Sequence, residues 1–293
     1  MVKISKNLRF EFQRFSMVSG LVVFHVGALF VFLTGVSWTA VTIGLVLFVV
    51  RTLGGLVGYH RFFSHQSFEA KRWVQFALAF CGMLGANGPV RRWVAHHYLH
   101  HQYSDVEGDV HSPAHGHFHS YMGWYLDRSF YEVPVPEFVE KRITPEIKWL
   151  DGFFELILLA QIPALYFLGS FLEVRFPELQ TDGAMLVVVG FFLSLVLSMQ
   201  GIFMVNLICH IPRFGTRDFE TKDRSRNNWF VAILTLGEGW HNGHHRFPNS
   251  ARHGLLPGQW DPNFWFIKLL ERLGLAWNVK DAREVAVRST RKG

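Results

Sequence analysis

Trp38-Thr-Ala-Val-Thr-Ile-Gly-Leu-Val-Leu-Phe-Val-Val-Arg-Thr-Leu-Gly-Gly-Leu-Val57 runs without a break into Gly58-Tyr-His-Arg-Phe-Phe-Ser-His65. The first part is as long as the roughly 20 apolar residues a helix needs to cross a bilayer, so the two histidines emerge where a span ends. Three further runs qualify as spans, at 16–34, 152–172 and 183–205. The composition agrees: 49% of the 293 residues are hydrophobic and only 18% charged, against about 25% charged in a soluble domain. That excludes a disordered chain. A net charge of +6 would suggest nucleic acid in a soluble protein, but in so apolar a chain it points to a membrane surface and to no nucleic acid.

The spans form two hairpins. The uncharged Gly35-Val36-Ser37 joins the first pair, and the link around Glu173, Arg175, Glu178 and Asp182 holds a single basic residue. Lys3, Lys6, Arg9 and Arg14 precede the first span, and nearly all other basic residues fall in 58–151 or after 206. By the positive-inside rule both termini and everything between the hairpins are cytoplasmic. The amino-terminal apolar run is too long for a signal peptide and lacks a small-residue cleavage site, so it reads as an uncleaved span. Trp73 to Asn87 is short for a span and closes on Gly85, Asn87, Gly88 and Pro89, which reads as an interfacial or cap helix. Phe264 to Leu273 reads as a surface-lying amphipathic helix, and 285–293 as a loose basic tail. Cys81 and Cys209 are too few for a disulfide framework and read as packing residues.

The 16 histidines are the oddest count. They cluster: His60 and His65; His96-His97-Tyr-Leu-His100-His101; His241-Asn-Gly-His244-His245. Positions i, i+3 and i+4 share a helix face, so His97, His100 and His101 can aim at one point, as can His241, His244 and His245. Neutral imidazole suits Zn, Cu, Fe or Ni, and eight ligands are too many for one ion. Asn206 and His210 add an i, i+4 pair at the end of the fourth span. All these residues share one side of the membrane only if 73–87 does not cross. A closed zinc site would want four ligands, usually with cysteine, and a metal transporter would place ligands within its spans. His25, the one intramembrane histidine, reads as a packing or hydrogen-bonding group. His96, His111, His115, His117, His119 and His253 stand outside the proposed ligand set, with the 111–119 run read as flexible surface polarity.

The boxes resemble those of the membrane fatty acid desaturases, in particular the stearoyl-CoA (delta-9) desaturase-like branch. The resemblance covers about His60 to Trp277. It includes Gly58 to His65, Trp93-Val-Ala-His-His-Tyr-Leu-His-His-Gln-Tyr-Ser-Asp105, Gly108-Asp109, His119-Ser-Tyr-Met-Gly-Trp124, Asn206-Leu-Ile-Cys-His210, Gly237-Glu-Gly-Trp-His-Asn-Gly-His-His-Arg-Phe-Pro248 and Ser250-Ala-Arg-His-Gly254. It implies one all-α integral membrane domain over 1–293: four transmembrane helices under a cytosolic helical cap, made of 58–151 and 206–284, that holds a histidine-rich di-iron site. The implied ligands are His60, His65, His97, His100, His101, His210, His241, His244 and His245, with Asn206 acting through water. Glu238 and Asp105 lie beside the boxes and are candidates to support ligands or to form salt bridges.

The implied activity is O2-dependent insertion of a cis double bond, delta-9 being the expected position, into a saturated acyl chain, with acyl-CoA the expected carrier and two nonheme Fe ions as cofactor. The chain has no dinucleotide fingerprint or fused haem domain, so the two electrons come from a separate donor, ferredoxin-like or a b-type cytochrome with its reductase. One departure bears on the carrier. Animal acyl-CoA enzymes carry Arg-Asp before the second box, where this chain has Ala95-His96. Phospholipid-linked and carrier-protein-linked chains therefore stay open as substrates. The rival activities are a di-iron hydroxylase on the same scaffold and a non-catalytic metal carrier.

Overall fold

A computed structural model describes residues 6–290, which excludes Lys3 and the last three residues of the basic tail. The fold is almost wholly helical; among the described residues the one sheet pairs Glu69–Ala70 with Ala276–Trp277, antiparallel, and so fastens the two halves of the chain together. Among the described residues four helices are long and apolar enough to cross a membrane: Arg14–Thr34, Trp38–Ser64, Phe154–Arg175 and Gly183–Ile208. They fall on the four runs read from the sequence.

The second of these extends seven residues past its apolar run, through Gly54–Ser64, and is π-helical there. Residues 58–64, assigned to the cap from sequence, are thus a continuation of the helix. The fourth long helix carries a similar stretch at Val187–Leu193. π-Helical segments are rare and concentrate at functional sites.

The short apolar helix read as an interfacial or cap segment is Arg72–Leu84, and it is too short to be a span. It packs lengthwise on the second long helix. A Cβ added at Gly54 would collide with the backbone of Cys81 and Gly82, so glycine is what permits this close approach. At its far end the Leu84 carbonyl accepts from Arg51 Nε (3.0 Å) and Gln161 Nε2 (3.2 Å), within the second and third long helices. Length and breakers alone showed neither this contact nor its direction. The chain turns at Gly85–Pro89 and returns as the helix Val90–Tyr103, which carries the second histidine box.

Arg51 is fully buried and binds all these parts together. It donates to the Gly190 carbonyl (3.0 Å), to Gln161 Oε1 (2.7 Å) and to Ser194. His25 acts as a hydrogen-bonding group: Nδ1 donates to the Leu21 carbonyl and Nε2 accepts from Gln200, both at 2.7 Å. Cys81 and Cys209 are both free thiols.

Helix Pro262–Arg272 is capped by Asp261 and buries Phe264, Ile267 and Leu270. These residues pack with Val57, Phe68, Val74 and Leu78, while Trp265, Leu269 and Leu273 stay exposed on the same helix or just beyond it. The basic tail reading fails over 285–290. Helix Arg283–Thr290 is formed there, because Ala286 is buried against the cluster of Phe219 and Leu255, a contact with no local sequence signal.

Candidate metal centre

His60 and His65 are five residues apart, which on a regular α-helix leaves them about 140° apart around the axis. The π-helical winding removes that offset. His65 N donates to the His60 carbonyl at 3.1 Å, an i→i+5 bond of the kind that defines π-winding, and the two rings meet edge to face with centroids 4.8 Å apart.

The nine boxed histidines converge in two groups. His60, His65, His97, His101 and His244 form one; His100, His210, His241 and His245 form the other. Each H-x-x-H-H box is therefore divided. The i and i+4 pair stays together, His97 with His101 and His241 with His245, while the i+3 residue, His100 or His244, turns to the opposite group. The expectation that each box aims its three rings at one point is corrected. Residues three and four apart share a face but still differ in direction, and here two centres sit side by side over that face.

Five Nε2 pairs lie close: His65–His97 at 2.7 Å, His101–His244, His210–His241 and His241–His245 at 3.0 Å, and His60–His244 at 3.1 Å. Carboxylates decide what these contacts are. His60 Nδ1 donates to Glu238 (2.6 Å), His100 Nδ1 to Asp109 (3.0 Å), His210 Nδ1 to Asp105 (3.0 Å) and His245 Nδ1 to Asp223 (2.8 Å). With Nδ1 as the donor, a neutral ring presents a bare Nε2 lone pair. His241 Nε2 thus faces two such lone pairs and can donate to only one. Adjacent nitrogens bound at ~2.1 Å to a five- or six-coordinate ion stand about 3.0 Å apart, so a shared cation accounts for the spacing where imidazole hydrogen bonding cannot.

The electrostatics support this. Burial, together with neighbouring imidazoles, pulls His65, His97, His101, His241 and His244 well below the ordinary histidine range. Burial also lowers His245 to about 4 against the pull of Asp223. His100 goes the other way: burial lowers it, but Asp109, Asp105 and Asp223 together outweigh that and raise it. Burial pushes Glu238 up, and Arg61, His253 and His60 overcome this and hold it well below the usual carboxylate range. Converging imidazole nitrogens, four of whose rings donate Nδ1–H to a carboxylate, are a donor set that fits a divalent transition metal.

Asn206 is half-buried at the end of the fourth long helix, four residues before His210, with its carbonyl accepting from Ser120 Oγ at 2.9 Å. Glu238 and Asp105 do contact histidines of the groups. Glu238 also pairs with Arg61 at 2.7 Å, so it forms a salt bridge as well as its histidine contact. Asp109 and Asp223 are supporting carboxylates the sequence reading missed. Asp109 stood inside the quoted Gly108-Asp109 and could have been found; Asp223 lies in a loop with no signal. Two histidines set aside also belong here. His253 is fully buried with Nδ1 3.2 Å from Glu238, and the His111 ring lies tilted against His100, centroids 4.3 Å apart, beside Asp109. His111 is therefore no part of a flexible surface run, whereas His115 and His117 are exposed. His96 joins neither group: it is buried, stacked on Phe130, and bonded to the Phe130 carbonyl at 2.8 Å.

A family model described as fatty acid desaturase matches residues 36–261, a stretch that runs from the link before the second long helix to the cap of Pro262–Arg272. The chain belongs to the fatty acid desaturase family. An sn-1 stearoyl-lipid 9-desaturase from Anabaena variabilis is 37% identical over 259 residues, 87% of this chain and 90% of the relative. Delta-9 acyl-lipid desaturase 2 from Arabidopsis thaliana is 32% identical over 246 residues, 83% of this chain and 76% of the relative. An icosanoyl-CoA 5-desaturase from Limnanthes douglasii is 36% identical over 257 residues, 83% and 66% of the two chains. The desaturase is thus a membrane oxidoreductase whose relatives act on fatty acyl substrates.

Proposed function

We propose that this desaturase inserts a cis double bond at delta-9 of a saturated, glycerolipid-linked acyl chain, using two iron ions and electrons from a separate ferredoxin-like or b-type cytochrome donor. The four long helices would cross the membrane, with both termini and the site on the cytoplasmic side. The observation that carries the reading is the side-by-side pair of imidazole groups, five and four, with lone pairs turned inward.

The five-histidine group would hold one iron and the four-histidine group the other, with Asn206 reaching the second through water. Bound there, the irons would supply the O2-derived oxidant that an unactivated methylene requires. The reaction balances as CH2–CH2 with O2, two electrons and two protons giving CH=CH and two waters. The chain's own residues do the rest. Glu238, Asp105, Asp109 and Asp223 would hold four rings in one tautomer and orientation, and burial disfavours protonation of His65, His97, His101, His241, His244 and His245.

Two observations favour a lipid-linked chain. The Anabaena relative, which matches along nearly its whole length, is named for such a substrate, and Ala95-His96 replaces Arg-Asp, with His96 engaged by Phe130. Acyl-CoA is the second reading, favoured by the name of the Limnanthes relative. Expression in a host deficient in unsaturated fatty acids, followed by gas chromatography of total lipids, tests the activity. New monoenes support it; hydroxylated products favour a hydroxylase, and an unchanged profile with a competent donor present rejects both. Membranes given labelled phospholipid or labelled acyl-CoA then decide the carrier by which label enters the monoene.

A further inference from the structure

Between Arg92 and Arg128 the chain holds no lysine or arginine, although its net charge is +6. The same stretch carries Asp105, Glu107, Asp109 and Asp127 and, beyond the second box, His111, His115, His117 and His119. An acidic, histidine-rich segment on an otherwise basic chain concentrates cations locally, and metal-ligating side chains run along it from solvent to the four-histidine group.

The inner end is His111 with Asp109. His111 Nδ1 is buried without a hydrogen-bond partner among the described residues and stands 3.8 Å from the Asp109 carboxylate. One oxygen of that carboxylate accepts from His100 Nδ1 at 3.0 Å, and the other accepts from Asp105 N at 3.0 Å. A backbone amide uses one lone pair of the second oxygen and leaves another. Ligand atoms of His100, Asp109 and His111 lie within 4.8 Å of one another. Asp109 and His111 thus offer an oxygen and a nitrogen to a metal ion beside the ring of His100, which itself belongs to the four-histidine group.

The outer end is His115 with His119. Their ring centroids are 5.3 Å apart. His115 is exposed and His119 half-buried. His119 Nε2 donates to the Val110 carbonyl at 3.2 Å, which leaves the Nδ1 lone pair of a neutral ring free and ties this pair to the residue next to His111. Asp127 is exposed close by: the Ser129 amide first, and then His119 and His115, hold its carboxyl below the usual range.

A cleft of about 600 Å3 also reaches the histidine groups, at His65, His97, His101 and His245. Its charge opposes a cation. Arg142, Lys222 and Arg246 line it against Glu220 and Asp223, and Asp223 is already engaged by His245 Nδ1 at 2.8 Å.

We propose that the 105–127 segment is the loading port of the metal centre: His115 and His119 capture a divalent transition-metal ion from water, and Asp109 with His111 take it over and deliver it past His100. The proposal rests on the two-iron reading and adds a transit site outside the nine boxed histidines. Each transfer exchanges one ligand for another on the same ion, with no change of oxidation state.

The test uses full-length enzyme in lipid nanodiscs, stripped of metal with a chelator and then given radiolabelled Fe2+ under argon. In His115→Gln/His119→Gln the initial rate of uptake should fall on the order of ten-fold, the scale of an electrostatically assisted association. Iron per chain at saturation, and the turnover of the saturated variant, should match wild type. His111→Gln should slow uptake as well, whereas Lys222→Gln/Arg246→Gln in the cleft should leave the rate unchanged. A wild-type rate in the His115/His119 variant overturns the proposal. So does faster uptake in the cleft variant, which would place entry there. A saturation level that falls in step with the rate also overturns it, because the pair would then hold the centre together and not feed it. Stripped wild-type enzyme that binds no Fe2+ at all instead rejects the two-iron reading beneath.

Discussion

His60 and Glu238, separated by 178 positions in sequence, meet with Nδ1 and Oε2 2.6 Å apart. The same carboxylate pairs with buried Arg61 and lies 3.2 Å from His253. Glu238 therefore orients a ring of the five-histidine group and neutralises a buried cation. Glu238→Gln keeps the volume and should lower metal affinity by about 10- to 100-fold, the usual cost of losing such a partner. Glu238→Ala should in addition destabilise the fold by ~3–5 kcal/mol, because Arg61 loses one of its two counter-charges. Iron per chain and thermal unfolding measure the two effects, and full iron occupancy in the glutamine variant would count against the assignment.

Because each third position of the H-x-x-H-H boxes serves the opposite group, neighbouring residues should report on different ions. His244→Ala should empty the five-histidine group and His245→Ala the other. Each variant should lose about half the bound iron and all product. Retained activity, or loss of the same ion in both variants by Mössbauer spectroscopy, would refute the division.

Acid should weaken the metal-free protein. The buried rings resist protonation, His245 and His253 down to about 4 by burial, whereas the unfolded chain binds those protons near pH 6.5. The unfolded state then holds more protons, so stability is full above about pH 6.5 and falls as pH drops toward 4. His100 opposes the trend but is a single group. Thermal midpoints of the metal-free protein at stepped pH values should decline across that window; a flat profile would show that the rings are not buried as described.

At Gly54 even one methyl group has nowhere to go. Gly54→Ala should push helix Arg72–Leu84 off its neighbour at a cost of about 1–3 kcal/mol and displace Val90–Tyr103 with it. The checks are a lowered unfolding midpoint and reduced iron content; a variant that matches wild type in both would show that the close helix contact is not needed.

Much of this could be read from local pattern. The four apolar runs, the spacing within each box and the accessory His210 depend on residues a few positions apart, and they were enough to indicate the membrane class and the metal chemistry. Helix Arg283–Thr290 could not be read this way, because its anchor, Ala286, is buried by residues more than thirty positions earlier. His111 and His253 were set aside for a similar reason: nothing adjacent in sequence shows that Asp109 and Glu238 are shared with them.

The sequence by itself determined that apolar helices end in histidines and that the boxed imidazoles are too many for one ion. Periodicity and composition are properties of short segments, and hydrophobic length sets what a bilayer accepts. Only the tertiary structure decided which histidine serves which group, that His60 and His65 share a face through π-helical winding, and which four carboxylates set their tautomers. Those facts come from long-range packing, in which Arg51, Gly54 and the Glu238–Arg61 pair fix the separation of the helices, and so the place where nine rings meet.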